Sequence, residues 1–272
     1  MAESRPLVLG IAGGSGCGKT FLAREIRESA GAENVAVLGM DQYFRDEGVT
    51  HSDAHQTNFD HPAHVDFDLL ISDLQAIHEG KEIWAPDYDF RSMKRTESAV
   101  RIQSSRVLIF EGLFVLAEPL ASYCDITCFL DVASDERLLG RILRDTRERG
   151  MSIEQVVDRY QRYVRPSYQV FVEPTKQNAD IVVDFTYRRS LLTRMICHLI
   201  TDSIANVLDI NEFAASLRRE TFAMGANLES GFMPLATDII ALSKMIPENI
   251  YPIDSGRQGL ASPAMSSFET EE

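Results

Sequence analysis

The 272-residue sequence lacks any apolar run near the roughly 18 residues a membrane-spanning helix needs; its best run, Val107 to Leu116, is interrupted by Glu111. A helical membrane span is therefore excluded. Cysteine is scarce. Cys17, Cys124, Cys128 and Cys197 fit neither a disulfide ladder nor a zinc spacing. Packing is the expectation for them, with Cys17 a filler position in a loop. The opening MAESRPLVLG lacks the charged-then-apolar pattern of a secretory signal, which predicts a cytoplasmic protein. Positive charge is also short. The formal net charge is −14, which argues against a nucleic-acid reader held by a basic surface. What remains is an ordinary globular composition, 44% apolar and 25% charged, long enough for one large domain or two small ones.

One bias stands out within the scarce basic residues. Of 27, 22 are Arg and 5 are Lys, and eight of the Arg lie between Arg137 and Arg165. Solvated helix faces are one reading. The other is a set of fork-shaped donors for phosphate oxygens, a local inversion of potential in an acidic chain.

Short apolar runs punctuate the first 185 residues. Leu7–Ala12, Val35–Met40, Arg106–Glu111, Ile126–Val132 and Ile181–Phe185 read as buried strands. Between and after them, helical spacing covers Thr20–Ala30, Asp68–Gly80, Asp135–Arg149, Ile153–Val164 and Leu191–Leu208. Asp41–Asp66 has no clean period and reads mostly as loop. Lys81–Ile102 reads as a small β excursion. Alternating strands and helices predict an α/β fold, a five-stranded parallel sheet with helices on both faces. Residues 1–208 form the expected main domain and 209–272 a partly ordered extension. Within it, Asn211–Glu220 and Ile239–Met245 are helix candidates.

The first strand runs into Gly13-Gly14-Ser15-Gly16-Cys17-Gly18-Lys19-Thr20, which satisfies G-x-x-x-x-G-K-[ST] between a strand and a helix. Glycines let backbone N–H groups converge on phosphate oxygens, and the helix N-terminus favours the anion. Lys19 is expected on the β- and γ-phosphates of ATP and Thr20 on Mg²⁺. A Gly-rich turn with a chance Lys-Thr is the bland alternative. Ligands of open α/β sheets sit beyond the carboxyl ends of the strands. Asp41 follows the second strand and Glu111 ends the third. Glu111 is thus a candidate metal-holding acid. Asp41 is a candidate for taking a proton from an attacking hydroxyl, or for binding the metal too. Capping or a solvated turn would explain either acid without chemistry.

GIAGGSGCGKT, MDQYF, NFDHPAHVDFD, PDYDF, LIFEG, RILRDTRERG and EPTKQNADIVV follow in that order. Across about residues 6–208 the chain resembles the uridine kinase (uridine–cytidine kinase) family. The resemblance implies Mg²⁺- and ATP-dependent phosphorylation of the 5′-hydroxyl of a pyrimidine ribonucleoside. It also implies a doubly wound kinase core, a β-hairpin over the nucleoside, and a homo-oligomer. By residue, it makes Asp41 the acid–base, Asp60 the carboxylate on the ribose hydroxyls, and Tyr88 and Phe90 part of the base pocket. Arg141 and Arg144 fall near ribose and phosphates, and Arg149 in the lid.

Several positions depart from the family pattern. Met93 stands where a His usually reads the pyrimidine edge. Arg159 replaces a base-contacting Gln, Phe44 a common Tyr, and Met151 a second lid Arg. An apolar Met in place of a hydrogen-bonding group weakens the case for uracil in particular. Two alternatives therefore stand beside a uridine or cytidine kinase. One is a related kinase for another small alcohol, such as a different riboside, a sugar phosphate or pantothenate. The other is a nucleotide-binding regulator without turnover.

Overall fold

The computed structural model describes residues 5–46, 57–103, 105–204, 212 and 238–248. All five expected strands form. β1 (Leu7–Gly13), β2 (Val35–Gly39), β7 (Val107–Gly112), β8 (Ile126–Asp131) and β9 (Ile181–Asp184) make one parallel sheet in the order β2-β7-β1-β8-β9. The small β excursion resolves into two antiparallel pairs. β3 (Ile83–Ala85) pairs with β6 (Val100–Ile102), and β4 (Tyr88–Asp89) with β5 (Lys94–Arg95).

Side chains alternate across the sheet, so each strand feeds two cores. Leu7, Leu9, Ile11, Val107 and Ile109 pack with Leu22 and Ile26 of α1 (Lys19–Ala30) and with Leu192, Ile196 and Ile200 of a late helix (Phe185–Ile204). On the other face Val8, Leu38, Leu108 and Phe110 pack with Leu70, Leu74 and Ile77 of α2 (Phe67–His78). The apolar spacing of α2 creates that stripe, and the Asp66 side chain caps it by accepting from Leu69 N–H.

α3 (Ser134–Glu148) and α4 (Ile153–Arg159) are separated by Gly150, at φ 68°. Ser152 and Gln155 form a reciprocal capping box at the start of α4. Beyond Arg159 the expected α-helix changes register. Tyr160–Val164 and Tyr168–Val172 are π-turns flanking α5 (Arg165–Ser167). Pro166 explains the change: it brings no N–H, and its ring disfavours the normal i→i−4 ladder, so wider turns take up the strain.

The last strand stops one residue early. Phe185 already opens the next helix, α6 (Phe185–Ile204), six residues before the periodic pattern at Leu191. Its buried ring joins the α1-side core, so packing overrides the β-like look of IVVDF. Likewise β2 ends at Gly39, and Met40–Tyr43 is a 3₁₀ turn. Ile239–Met245 is helical, α7, with Asp238 as its N-cap. The helix expected over Asn211–Glu220 lies outside the described residues apart from Glu212. Among the described residues, no helix is long and apolar enough to cross a membrane.

Candidate active site

The phosphate-loop pattern sits at the carboxyl end of the central strand. Gly16 and Gly18 take φ 86° and 94°, values that L side chains rarely adopt, so the turn depends on glycine there. α1 begins with no side-chain cap and no acid in its first turn. Its first N–H groups are thus left for an external anion. Lys19 folds back into the loop, donating to Gly13 O at 2.9 Å and Gly14 O at 3.3 Å.

Glu111 lies in register with Gly39 on one side and Ile11 on the other, at the same carboxyl edge. Its Oε1 accepts from Thr20 Oγ1 at 2.8 Å. Those two oxygens suit Mg²⁺, which typically takes one or two protein oxygens and completes its shell with phosphate and water. Burial pushes the Glu111 carboxyl up to about 7, and the nearby charge of Asp41 adds to that, against Lys19, Thr20 and Arg144. A bound cation would reverse this balance.

The sign of that shift makes a stability prediction. Because the folded-state value lies above the ordinary one, the proton on Glu111 favours the nucleotide-free fold. That contribution is full below about pH 4.5 and fades as pH rises through about 7. Glu111→Gln, which can still accept from Thr20, should therefore melt on the order of 5 °C above the parent at pH 8 and level with it at pH 4.5. Thermal melts of nucleotide-free protein at the two pH values check this; a lower melting point at pH 8 contradicts it.

α3 lies across the phosphate loop. A Cβ on Gly140 would sit 2.6 Å from Gly16 O, and one on Gly14 would strike the Arg137 guanidinium. Arg141 Nη1 contacts Ser15 Oγ and lies 3.6 Å from Asp60 Oδ2. Arg137 and Arg141 are each 4% exposed. Among the described residues Arg137 Nη1, Arg141 Nε and Arg144 Nη2 are buried without a hydrogen-bond partner. Unfilled cationic donors beside a Gly-rich anion turn are what a polyphosphate would satisfy, so the residues fit ATP.

The remaining expected residues converge from other elements. Asp41 sits in the 3₁₀ turn after β2, and its charge acts on Glu111, Arg144 and Arg149. Asp60 acts on Arg144 and Arg159. The two acids thus share Arg144. Phe44, Tyr88 and Phe90 form a cluster with centroid spacings of 5.1–5.8 Å, and Phe59 joins it 5.9 Å from Phe44. Met93, at φ 57°, packs half-buried against the same core. Arg149 stacks over Phe90 at 4.0 Å. Burial, with Arg144 next to it, pulls Arg149 down to about 10. Arg159 lies 5.4 Å over Phe59 and donates to Thr57 O at 3.3 Å. Cys17 is buried, 3.9 Å from Lys19 Nζ.

Three residues were not among the expected ones. Asp145 is 0% exposed and is the hub of the Arg set: Arg144 Nε at 2.8 Å, Arg141 Nη2 at 3.4 Å and Arg149 Nε at 3.5 Å. Burial opposes its charge, yet these guanidiniums hold its carboxyl below the usual range. The signal was in the spacing, since Arg141 and Arg149 are i−4 and i+4 from Asp145. Arg137, fixed over the Tyr168 ring at 3.6 Å and by Val132 O at 3.1 Å, showed in the same helical spacing. Phe59 lay unremarked inside NFDHP.

The fold and this site define a P-loop phosphotransferase that uses ATP. Comparison with known proteins gives the particular family. Residues 8–191 match the model of the Phosphoribulokinase / Uridine kinase family, and the chain belongs to that family. A uridine kinase of Deinococcus deserti is 42% identical over 181 residues, 66% of this chain and 87% of that protein. One from Clostridium novyi is 39% identical over the same shares. A crystal structure from Silicibacter sp. TM1040, of a candidate fructose transport system kinase, superposes with a TM-score of 0.54. At 19% identity, covering 65% of this chain and 89% of that one, it speaks for the fold alone.

Proposed function

We propose that this kinase transfers the γ-phosphoryl group of ATP to the 5′-hydroxyl of a ribonucleoside, with uridine and cytidine as acceptors. The observation that carries the reading is Asp60. A buried carboxylate stands 3.6 Å from Arg141, one residue from the Phe59–Phe44–Tyr88–Phe90 cluster. One carboxylate can accept from both hydroxyls of a ribose diol, and aromatic faces beside it can hold a base. The relatives named as uridine kinases support the same substrate class.

In this mechanism the chain mostly positions and neutralises. Asp41 accepts the proton of the attacking hydroxyl. Thr20 and Glu111 would hold Mg²⁺, which when bound would neutralise phosphate charge. Lys19, Arg144 and Arg149 surround the γ-phosphoryl position, and Gly13 to Gly18 supply N–H donors to the other phosphates. Arg141 links the loop hydroxyl of Ser15 to Asp60, and so ties the two substrates' sites together. Arg149 rests on the Phe90 ring, which supports its role as a link between the phosphate and base sites.

Met93 brings an apolar side chain, half-buried against the same core, and Arg159 is engaged with Phe59 and Thr57 O. Neither offers the His and Gln contacts the resemblance would lead one to expect. That favours a pocket that grips ribose more firmly than the base edge, and a second reading in which another riboside is the acceptor. Asp60→Ala tests the ribose contact. It should raise the acceptor KM by about 10²-fold, the loss expected for a charged hydrogen-bond pair, with the ATP KM within about twofold. An unchanged acceptor KM rejects the contact.

A further inference from the structure

The turn carrying Asp60 is fastened by a segment from far along the chain. His61 is 0% exposed and Asn58 1%. His61 Nδ1 accepts from Ala63 N–H at 3.1 Å, which leaves its Nε2 to carry the proton; that atom lies 3.0 Å from Ile246 O. Asn58 Nδ2 donates to Glu248 O at 2.8 Å and to Ser167 Oγ at 3.0 Å. His64 Nε2 is 3.6 Å from the Glu248 carboxylate. At its other end the segment is anchored by Ile239, 0% exposed, whose N–H donates to Glu118 O at 2.9 Å. Ile240, Leu242 and Ile246 pack half-buried on the same core.

We propose that Asp238–Glu248 is an intramolecular clasp that holds the acceptor-binding turn Asn58–His64 in its working position. The word acceptor here rests on the reading of Asp60 given above. The segment lies beyond residues 8–191, the part that matches the family model. The physical argument is hydrogen-bond satisfaction. Without the segment, a buried His N–H and one N–H of a buried Asn amide lose their acceptors. Such donors drive the turn to open toward water, and Asp60 sits between them in sequence. Asn58, His61 and the clasp residues act as positioning residues, because their contacts are to other groups of this same chain.

Ile239→Asp in the intact 272-residue chain releases the anchor without touching the turn. Hydrogen exchange on the ligand-free protein should then speed up at residues 57–64 as well as at 239–248. The acceptor KM should rise about tenfold, the factor expected when the competent turn is populated roughly one time in ten, with the ATP KM unchanged. Ile239→Ala, a milder change, is read by the same exchange pattern, so loss of folding in the Asp variant does not shelter the idea. Faster exchange confined to 239–248, with 57–64 as protected as in the parent, overturns the clasp. Failure of the ribonucleoside reading looks different: the ligand-free response persists, while uridine protects neither segment.

Discussion

Asp41→Asn is expected to lower kcat by a factor on the order of 10² to 10⁴ while ATP still binds. The substitution keeps the size and removes the proton acceptor. Asp41 occupies the turn directly after β2, where its charge reaches the Glu111 carboxyl and the guanidiniums of Arg144 and Arg149. A second effect falls on Glu111. Asp41 helps push the Glu111 carboxyl up, so its removal eases ionisation of Glu111. Because Asp41 is also a candidate metal ligand, metal-nucleotide binding is measured alongside kcat. Steady-state kinetics with a separate ATP-binding titration decide it, and an unchanged kcat removes Asp41 from the base role.

The second large effect is expected at Asp145. Asp145→Asn should destabilise the protein by about 3–5 kcal/mol, the loss typical of breaking a buried ion pair from one side. Three guanidiniums, those of Arg141, Arg144 and Arg149, now converge on one fully buried carboxylate. Neutralising it leaves them facing one another in a poorly hydrated site. The same loss should cost activity at saturating ATP, because Arg144 and Arg149 lose the group that orients them. Thermal denaturation is the primary measure. A variant that melts within about 2 °C of the parent contradicts the hub.

The parallel sheet was legible because its strands are short apolar runs that stop at glycine or at an acid, as in LVLGIAGG and VLIFEG. The phosphate loop and the acids at strand ends were legible for a related reason: sheet geometry puts such residues at one edge, and Glu111 registers with Gly39 and Ile11 there. Boundaries were harder. Phe185 looks like a strand residue, yet it opens α6 and is buried in the α1-side core. The π-turns around Pro166 follow from a missing N–H in an otherwise helical pattern. The clasp left little trace in the sequence, since Asn58 and His61 bind backbone carbonyls of Ile246 and Glu248, and a carbonyl carries no residue type. Asp145 was hidden differently. It is one acid in a helix dense with charge, and only the arginines at i−4 and i+4, Arg141 and Arg149, set it apart in the sequence.

The most direct test of the account is a transfer assay with γ-labelled ATP and Mg²⁺, offering uridine, cytidine, adenosine and guanosine side by side. Label is expected in the 5′-monophosphate of at least uridine or cytidine, with Asp41→Asn slowing its appearance on the order of 10²- to 10⁴-fold and Asp60→Ala giving it only at high acceptor concentration. ATP consumed with no riboside labelled would contradict it.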